Sequence, residues 1–108
     1  MSDIDFSIII PVYNEAKSLS YLHKELTEYL DIEWERFKYE VIYIDDGSRD
    51  QSYNTLKEIS KDPKVTIIKF LSNYGKSAAL QAGFDIAKGN IFITIDSDLQ
   101  HIPSDIPR

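Results

Sequence analysis

Apolar positions along this chain follow two rhythms. Dense short runs rich in β-branched residues occur at Phe6–Val12, Tyr39–Asp45, Val65–Leu71 and Ile91–Ile95. Runs of that length and composition predict strands. Between them, apolar residues recur at steps of three or four: Leu19, Leu22, Leu26 and Leu30, then Leu56 and Ile59, then Leu80, Phe84 and Ala87. That spacing predicts three amphipathic helices, each turning one stripe inward. Pro11 has no N–H to give a ladder, so the first strand is expected to end there. Ser48-Arg-Asp-Gln51 has capping-box spacing, which makes Ser48 the expected N-cap of the second helix. Asp62-Pro63 is the expected stop of that helix. The third helix is expected from Lys76 to Lys88, with Gly89 in the C′ position. Trp34 and Phe37 read as packing groups at the exit of the first helix, and His23 falls on its polar side.

The resulting order is β-α-β-α-β-α-β. Strands alternating with helices imply parallel pairing in an α/β sheet, and right-handed crossovers leave few topologies. Ligands of open α/β sheets bind beyond the carboxyl ends of the strands. The residues there are Pro11-Val-Tyr-Asn-Glu15, Asp45-Asp46-Gly47-Ser48, Leu71-Ser-Asn-Tyr-Gly75 and Asp96-Ser97-Asp98. Only the third carries no acid. A strand order of 3-2-1-4 accounts for this: the three acidic tips become neighbours and the neutral one lies outside them.

Bulk properties narrow the picture. The 108 residues suit one domain spanning 1–108, without repeat or linker. A formal charge of −6 argues against a nucleic-acid partner, which needs a basic footprint. It serves solubility, and it also suits a cation that in turn recruits an anionic ligand. Cysteine is absent, so there is no disulfide and no thiolate metal site, a usage that fits a reducing compartment. No run reaches the ~18 apolar residues of a membrane span, and Met1-Ser-Asp-Ile-Asp5 lacks the look of a signal peptide. These features set the expected location in the cytoplasm.

The candidate chemistry centres on Asp96-Ser97-Asp98. Two carboxylates ~4 Å apart repel by about 4 kcal/mol at an effective dielectric of 20. A raised pKa, a basic partner or a divalent cation relieves this. No Arg or Lys lies between Gly89 and His101. Oxygen-only ligands point to Mg²⁺ or Mn²⁺, held by one or two carboxylates and substrate phosphates. The competing reading is a solvated turn with helix-capping aspartates. Asp46-Gly47 is a common turn pair, whereas Asp45, following an apolar strand, is expected to point into the cleft, where it can accept from a nucleobase N–H. Gly75-Lys76-Ser77 lacks the earlier glycine of a phosphate-binding loop, since Phe70 stands there. Lys76 is then a helix-start residue near the site, and His101 a loop residue beside it.

Four stretches in order carry a resemblance: Ile-Pro-Val-Tyr-Asn-Glu, Ile-Asp-Asp-Gly-Ser-Arg-Asp, Asn-Tyr-Gly-Lys-Ser-Ala-Ala-Leu-Gln-Ala-Gly-Phe and Ile-Asp-Ser-Asp-Leu-Gln-His. Together they resemble family two of the inverting nucleotide-sugar glycosyltransferases, from about Phe6 to Arg108. Asp-Leu-Gln-His and the closing Pro-Ser-Asp-Ile-Pro are most similar to the polyprenyl-phosphate (dolichol or undecaprenyl-phosphate) sugar transferases. The resemblance implies a GT-A, Rossmann-like fold and transfer of a sugar from a UDP- or GDP-linked donor to a polyprenyl phosphate by single displacement. It implies that Pro11, Tyr13 and Glu15 line the nucleotide pocket and that Asp45 contacts the base, with Asp46 and Ser97 counted among the substrate-binding residues. It further implies that Asp96 and Asp98 hold Mg²⁺ or Mn²⁺, with Gln100 as a further ligand. Ser97 stands where the family often has alanine or glycine, a small change.

Family domains continue past the metal motif, often with membrane segments, so the chain is expected to be the N-terminal, nucleotide-binding half of a longer enzyme. It is expected to turn over poorly alone, to self-associate through uncovered apolar surface, and to work at the cytoplasmic face of a membrane in the longer protein. Two other readings stay open at this level: a Mg²⁺-binding phospho-acceptor signalling module and a non-catalytic nucleotide sensor. A dinucleotide oxidoreductase is disfavoured, because no Gly-x-Gly-x-x-Gly follows the first strand.

Overall fold

The structure is a computed structural model that describes residues 3–97. The elements are β1 (Phe6–Val12), α1 (Ala16–Glu33), β2 (Tyr39–Asp45), α2 (Ser52–Ile59), β3 (Val65–Lys69), α3 (Lys76–Ile86) and β4 (Ile91–Thr94). All strands pair in parallel, in the order β3-β2-β1-β4 that the distribution of acids suggested.

Side-chain alternation divides the core into two layers. Ile8, Ile10, Val12, Val41 and Tyr43 face Leu19, Leu22, Leu26 and Leu30 of α1 and Leu56 of α2. Ile9, Ile42 and Ile44 face the other way, onto Ala79 of α3 with Leu80, Phe84 and Ala87 around it. The four α1 leucines are fully buried, each worth about 1.5–3 kcal/mol in transfer free energy. α1 and α2 thus cover one face and α3 the other, and because the strands are all parallel every strand-to-helix loop opens at the same end of the sheet.

Several boundaries differ from expectation for identifiable reasons. β1 runs through Pro11 to Val12 and keeps its register with β2, Pro11 opposite Ile44. Pairing with β4 covers only Phe6–Ile9, closing with the Ile95 N–H donating to the Ile9 carbonyl. By alternation the missing N–H of Pro11 faces the β4 side, just past that ladder, and nothing is lost. β3 stops at Lys69 rather than Leu71, and Leu71 is 92% exposed. β4 is not a buried strand: it lies at the sheet edge with Ile91 and Phe92 exposed.

α3 ends at Ile86, with Ala87 as its C-cap, and Gly89 does not take the left-handed conformation of a C′ residue. Gly89 instead lies against β1, where a Cβ would come within 2.6 Å of Ser7 Oγ and 2.7 Å of the Phe6 carbonyl carbon. Its N–H donates to Ser7 Oγ (2.8 Å), Ser7 Oγ donates to Glu40 Oε2 (2.6 Å), and the Lys88 N–H donates to the same carboxylate oxygen (2.6 Å). This buried polar chain ties the α3–β4 connection to the base of β1 and β2. At the α1 exit Trp34 is buried against Phe6, with centroids 4.4 Å apart, and Phe37 meets Phe6 edge-on, as expected of packing groups.

Candidate functional site

The loops at the carboxyl ends of the strands enclose a cavity of about 480 Å³. Pro11 and Val12 line it from the end of β1, Tyr13 and Glu15 from the β1–α1 loop, and Asp46 from β2–α2. Asn73, Gly75 and Lys76 come from the β3–α3 loop and the start of α3, and Asp96 and Ser97 from the tip of β4. The structure therefore places Pro11, Tyr13, Glu15, Asp46, Asp96 and Ser97 around one cavity. Asp98, Gln100 and His101 lie outside the described residues.

The first wall is two loops stitched together. Asn14 takes a left-handed conformation (φ 53°). Its N–H donates to Ser48 Oγ (2.9 Å), and its Oδ1 accepts the Arg49 N–H (2.8 Å). The Glu15 N–H donates to Ser52 Oγ (2.9 Å). Ser48 is thus not the cap of α2, which begins four residues later. The residue that turns the chain into that helix is Asp50: its Oδ1 accepts the Ser52 N–H (2.8 Å) and its Oδ2 the Ala16 N–H (3.3 Å).

Asp46 does more than shape a turn. It is buried, and its carboxylate accepts the Tyr74 N–H on Oδ1 (2.8 Å) and the Gly75 N–H on Oδ2 (3.0 Å), with Asn73 Nδ2 3.1 Å from the same Oδ2. One carboxylate thereby sets the path of the loop that delivers Lys76. The role was not readable beforehand because its three partners come from a loop 27 to 29 positions away.

Asp45 departs from expectation. It is 1% exposed and does not line the cavity. Its Oδ1 accepts the Ser48 N–H (3.0 Å), while Oδ2 is the buried side-chain polar atom left without a partner among the described residues. A buried acceptor in that condition costs about 1–3 kcal/mol, and such orphans mark strain or a binding role.

At the tip of β4, the Lys76 ammonium donates to Asp96 Oδ1. The basic partner absent from the local sequence is supplied from α3, because β4 returns beside β1 under that helix. Lys76 opens α3 beside the site, as its reading as a helix start near the site expected, whereas Asn73 and Gly75 are lining residues that sequence reasoning did not assign; their signal was the Asn-Tyr-Gly-Lys motif itself. The Ser97 carbonyl accepts from Ser18 Oγ (3.4 Å), which docks the β4 tip on α1. Among the described residues there is no group of three His, Cys, Asp or Glu side chains that could hold a metal ion. Asp96 offers carboxylate oxygens, the donor type that hard cations take, and in this structure Lys76 holds its Oδ1.

Comparison with known proteins extends the picture. The family model described as Glycosyl transferase family 2 matches residues 7–108. Undecaprenyl-phosphate 4-deoxy-4-formamido-L-arabinose transferase of Edwardsiella ictaluri (strain 93-146) is 42% identical over 104 residues, 94% of this chain and 31% of that protein. The uncharacterized glycosyltransferase YkcC of Bacillus subtilis (strain 168) is 43% identical over 101 residues, 93% of this chain and 31% of its own. Among solved structures, mannosyltransferase PcManGT from Pyrobaculum calidifontis in complex with GDP-Man and Mn²⁺ is similar with a TM-score of 0.76 at 25% identity, over 91% of this chain and 31% of that one. S. aureus TarS 1-349 in complex with UDP gives 0.75 at 25% identity, over 88% and 28%. The chain thus spans under a third of the length of these relatives.

Proposed function

The chain belongs to glycosyl transferase family 2, and from that premise we propose that it forms the donor-binding part of a metal-dependent inverting glycosyltransferase. The parallel 3-2-1-4 sheet is a GT-A-like, Rossmann-related arrangement. The observation that carries the reading is a single cavity in which Asp96, Glu15 and Asp46 converge with Lys76 at the tips of neighbouring strands. The donor is a nucleoside-diphosphate sugar, and the acceptor is a polyprenyl phosphate. Support for the acceptor comes from the relatives named as undecaprenyl-phosphate transferases.

Each residue then has a task. Pro11, Tyr13 and Glu15 flank the nucleoside, while Asp45, buried and outside the cavity lining, shapes the turn behind it by accepting the Ser48 N–H. Asp46 holds the 73–75 loop in place, and the small Ser97 leaves the backbone at the β4 tip open. Asp96, with Asp98 and Gln100, is the ligand set for Mg²⁺ or Mn²⁺. Mn²⁺ accompanies GDP-Man in the Pyrobaculum relative. Such an ion offsets the charge that develops on a departing nucleoside diphosphate. An acceptor phosphate whose second pKa is ~6 is already anionic near neutrality, so alignment outweighs base strength. No described helix is long and apolar enough to cross a membrane; the proposed place of action is the cytoplasmic face of one.

Calorimetry with UDP and GDP, each with and without Mn²⁺, tests the proposal. One diphosphate is expected to bind, and only when Mn²⁺ is present. No heat with either nucleotide under either condition overturns it.

A further inference from the structure

Lys76 opens α3 directly after Gly75, whose N–H is held by Asp46, so the backbone at this point is anchored, while the side chain is held only at its tip, by Asp96. The lysine side chain is 60% exposed and that of Asp96 is 36% exposed. A lysine ammonium is a compact charge on a flexible stem, and an ion pair this open to water is weak and screened. Both residues line the cavity, and its other lining acids already have partners. Glu15 Oε2 accepts from Ser18 Oγ (3.1 Å), and the Asp46 oxygens accept from the 73–75 loop.

The geometry points to Lys76 as an exchangeable counter-ion. It holds Asp96 while the donor site is empty, and it hands that carboxylate to a divalent cation and turns to the donor's diphosphate when both arrive. This rests on the nucleotide-sugar reading above and adds a residue and an order of events to it. Three features support the exchange. The residue that lines the cavity, Asp96, is also the one that carries the lysine, on its Oδ1. The Asp46 carboxylate is filled by the 73–75 loop and Glu15 Oε2 accepts from Ser18, so once Asp96 is taken an anion in the cavity is the natural partner of the ammonium. The start of α3, at which Lys76 stands, carries the partial positive charge of a helix N-terminus, which favours an anion there and disfavours a resident cation.

The test separates the two roles by their opposite signs. In the intact protein, Lys76→Met removes the charge and keeps the stem. Calorimetry with Mn²⁺ alone is expected to show binding about two- to fivefold tighter than in the unaltered protein, because the tethered competitor has gone. With Mn²⁺ saturating, UDP or GDP is expected to bind about tenfold or more weakly, because a charge-assisted contact to the diphosphate is lost. Lys76→Arg, which keeps the charge, is expected to hold the diphosphate within about threefold of the unaltered protein. Weaker Mn²⁺ binding in Lys76→Met, or unchanged diphosphate binding, overturns the exchange alone. An unaltered protein that binds neither diphosphate with Mn²⁺ overturns the donor-site reading, and this inference with it.

Discussion

His23 shows what a single residue can hide. The periodicity of α1 puts it on the polar side, yet its side chain is only 13% exposed. Its Nδ1 lies 2.8 Å from the Tyr43 hydroxyl, and its Nε2 lies 3.7 Å from Asp62 Oδ2. Burial pushes its pKa below the ordinary 6.5, and Asp62 pulls it only part of the way back. Burial also raises the Tyr43 hydroxyl far above the usual phenol range. A histidine whose folded pKa is lowered binds its proton more readily in the unfolded chain. Its neutral form therefore supports the fold fully above about pH 6.5, and stability falls as pH drops below that value. Thermal melts at pH 7.5 and 5.5 should show a larger loss of Tm in the unaltered protein than in His23→Gln; equal losses count against this assignment. The periodic pattern could not reveal the network, because one partner is an inward-facing strand residue and the other lies beyond α2.

At the scale of elements, the hydrophobic rhythm was a faithful guide. β2 keeps the expected bounds, and all four α1 leucines are buried, because burial of one stripe or one strand is what those patterns encode. Loops were less legible, because their shape depends on partners distant in sequence. Capping-box spacing favoured Ser48, but its hydroxyl was claimed by Asn14 from another loop, leaving Asp50 to start α2. Lys76 and Asp96, 20 positions apart, become neighbours only through the 1-4 strand adjacency. Gly47 is the junction most exposed to mutation. Its φ is +71°, and a Cβ there would stand 2.4 Å from the Ser72 carbonyl carbon and 2.5 Å from the Asn73 N. Both objections act on backbone, which cannot swing aside. Gly47→Ala is expected to cost about 2 kcal/mol or more, since the left-handed penalty alone is roughly 1–2 kcal/mol. Urea denaturation measures this, and a cost below about 0.5 kcal/mol would refute the steric account.

Across the whole molecule, acids gather at one end of the sheet and apolar surface is left at one side. β4 shows Ile91 at 55% and Phe92 at 44% exposure, with Phe92 stacked on Phe84 at 5.7 Å. A strand edge of this kind offers both unpaired backbone and a hydrophobic face. The 108-residue chain is expected to self-associate at high concentration, and Phe92→Lys is expected to reduce this. Sedimentation velocity decides it; a single monomeric species for the unaltered chain at millimolar concentration contradicts the expectation.

The pairing of Phe6 with Ile91 also sets a clock on biosynthesis. One flank of β1 meets its partner only after the ribosome has made everything in between, a wait of roughly 4 to 17 s at ~5–20 residues per second. During that interval the central strand of the sheet is also a free edge, and the nascent polypeptide depends on its surroundings to keep other strands away from it.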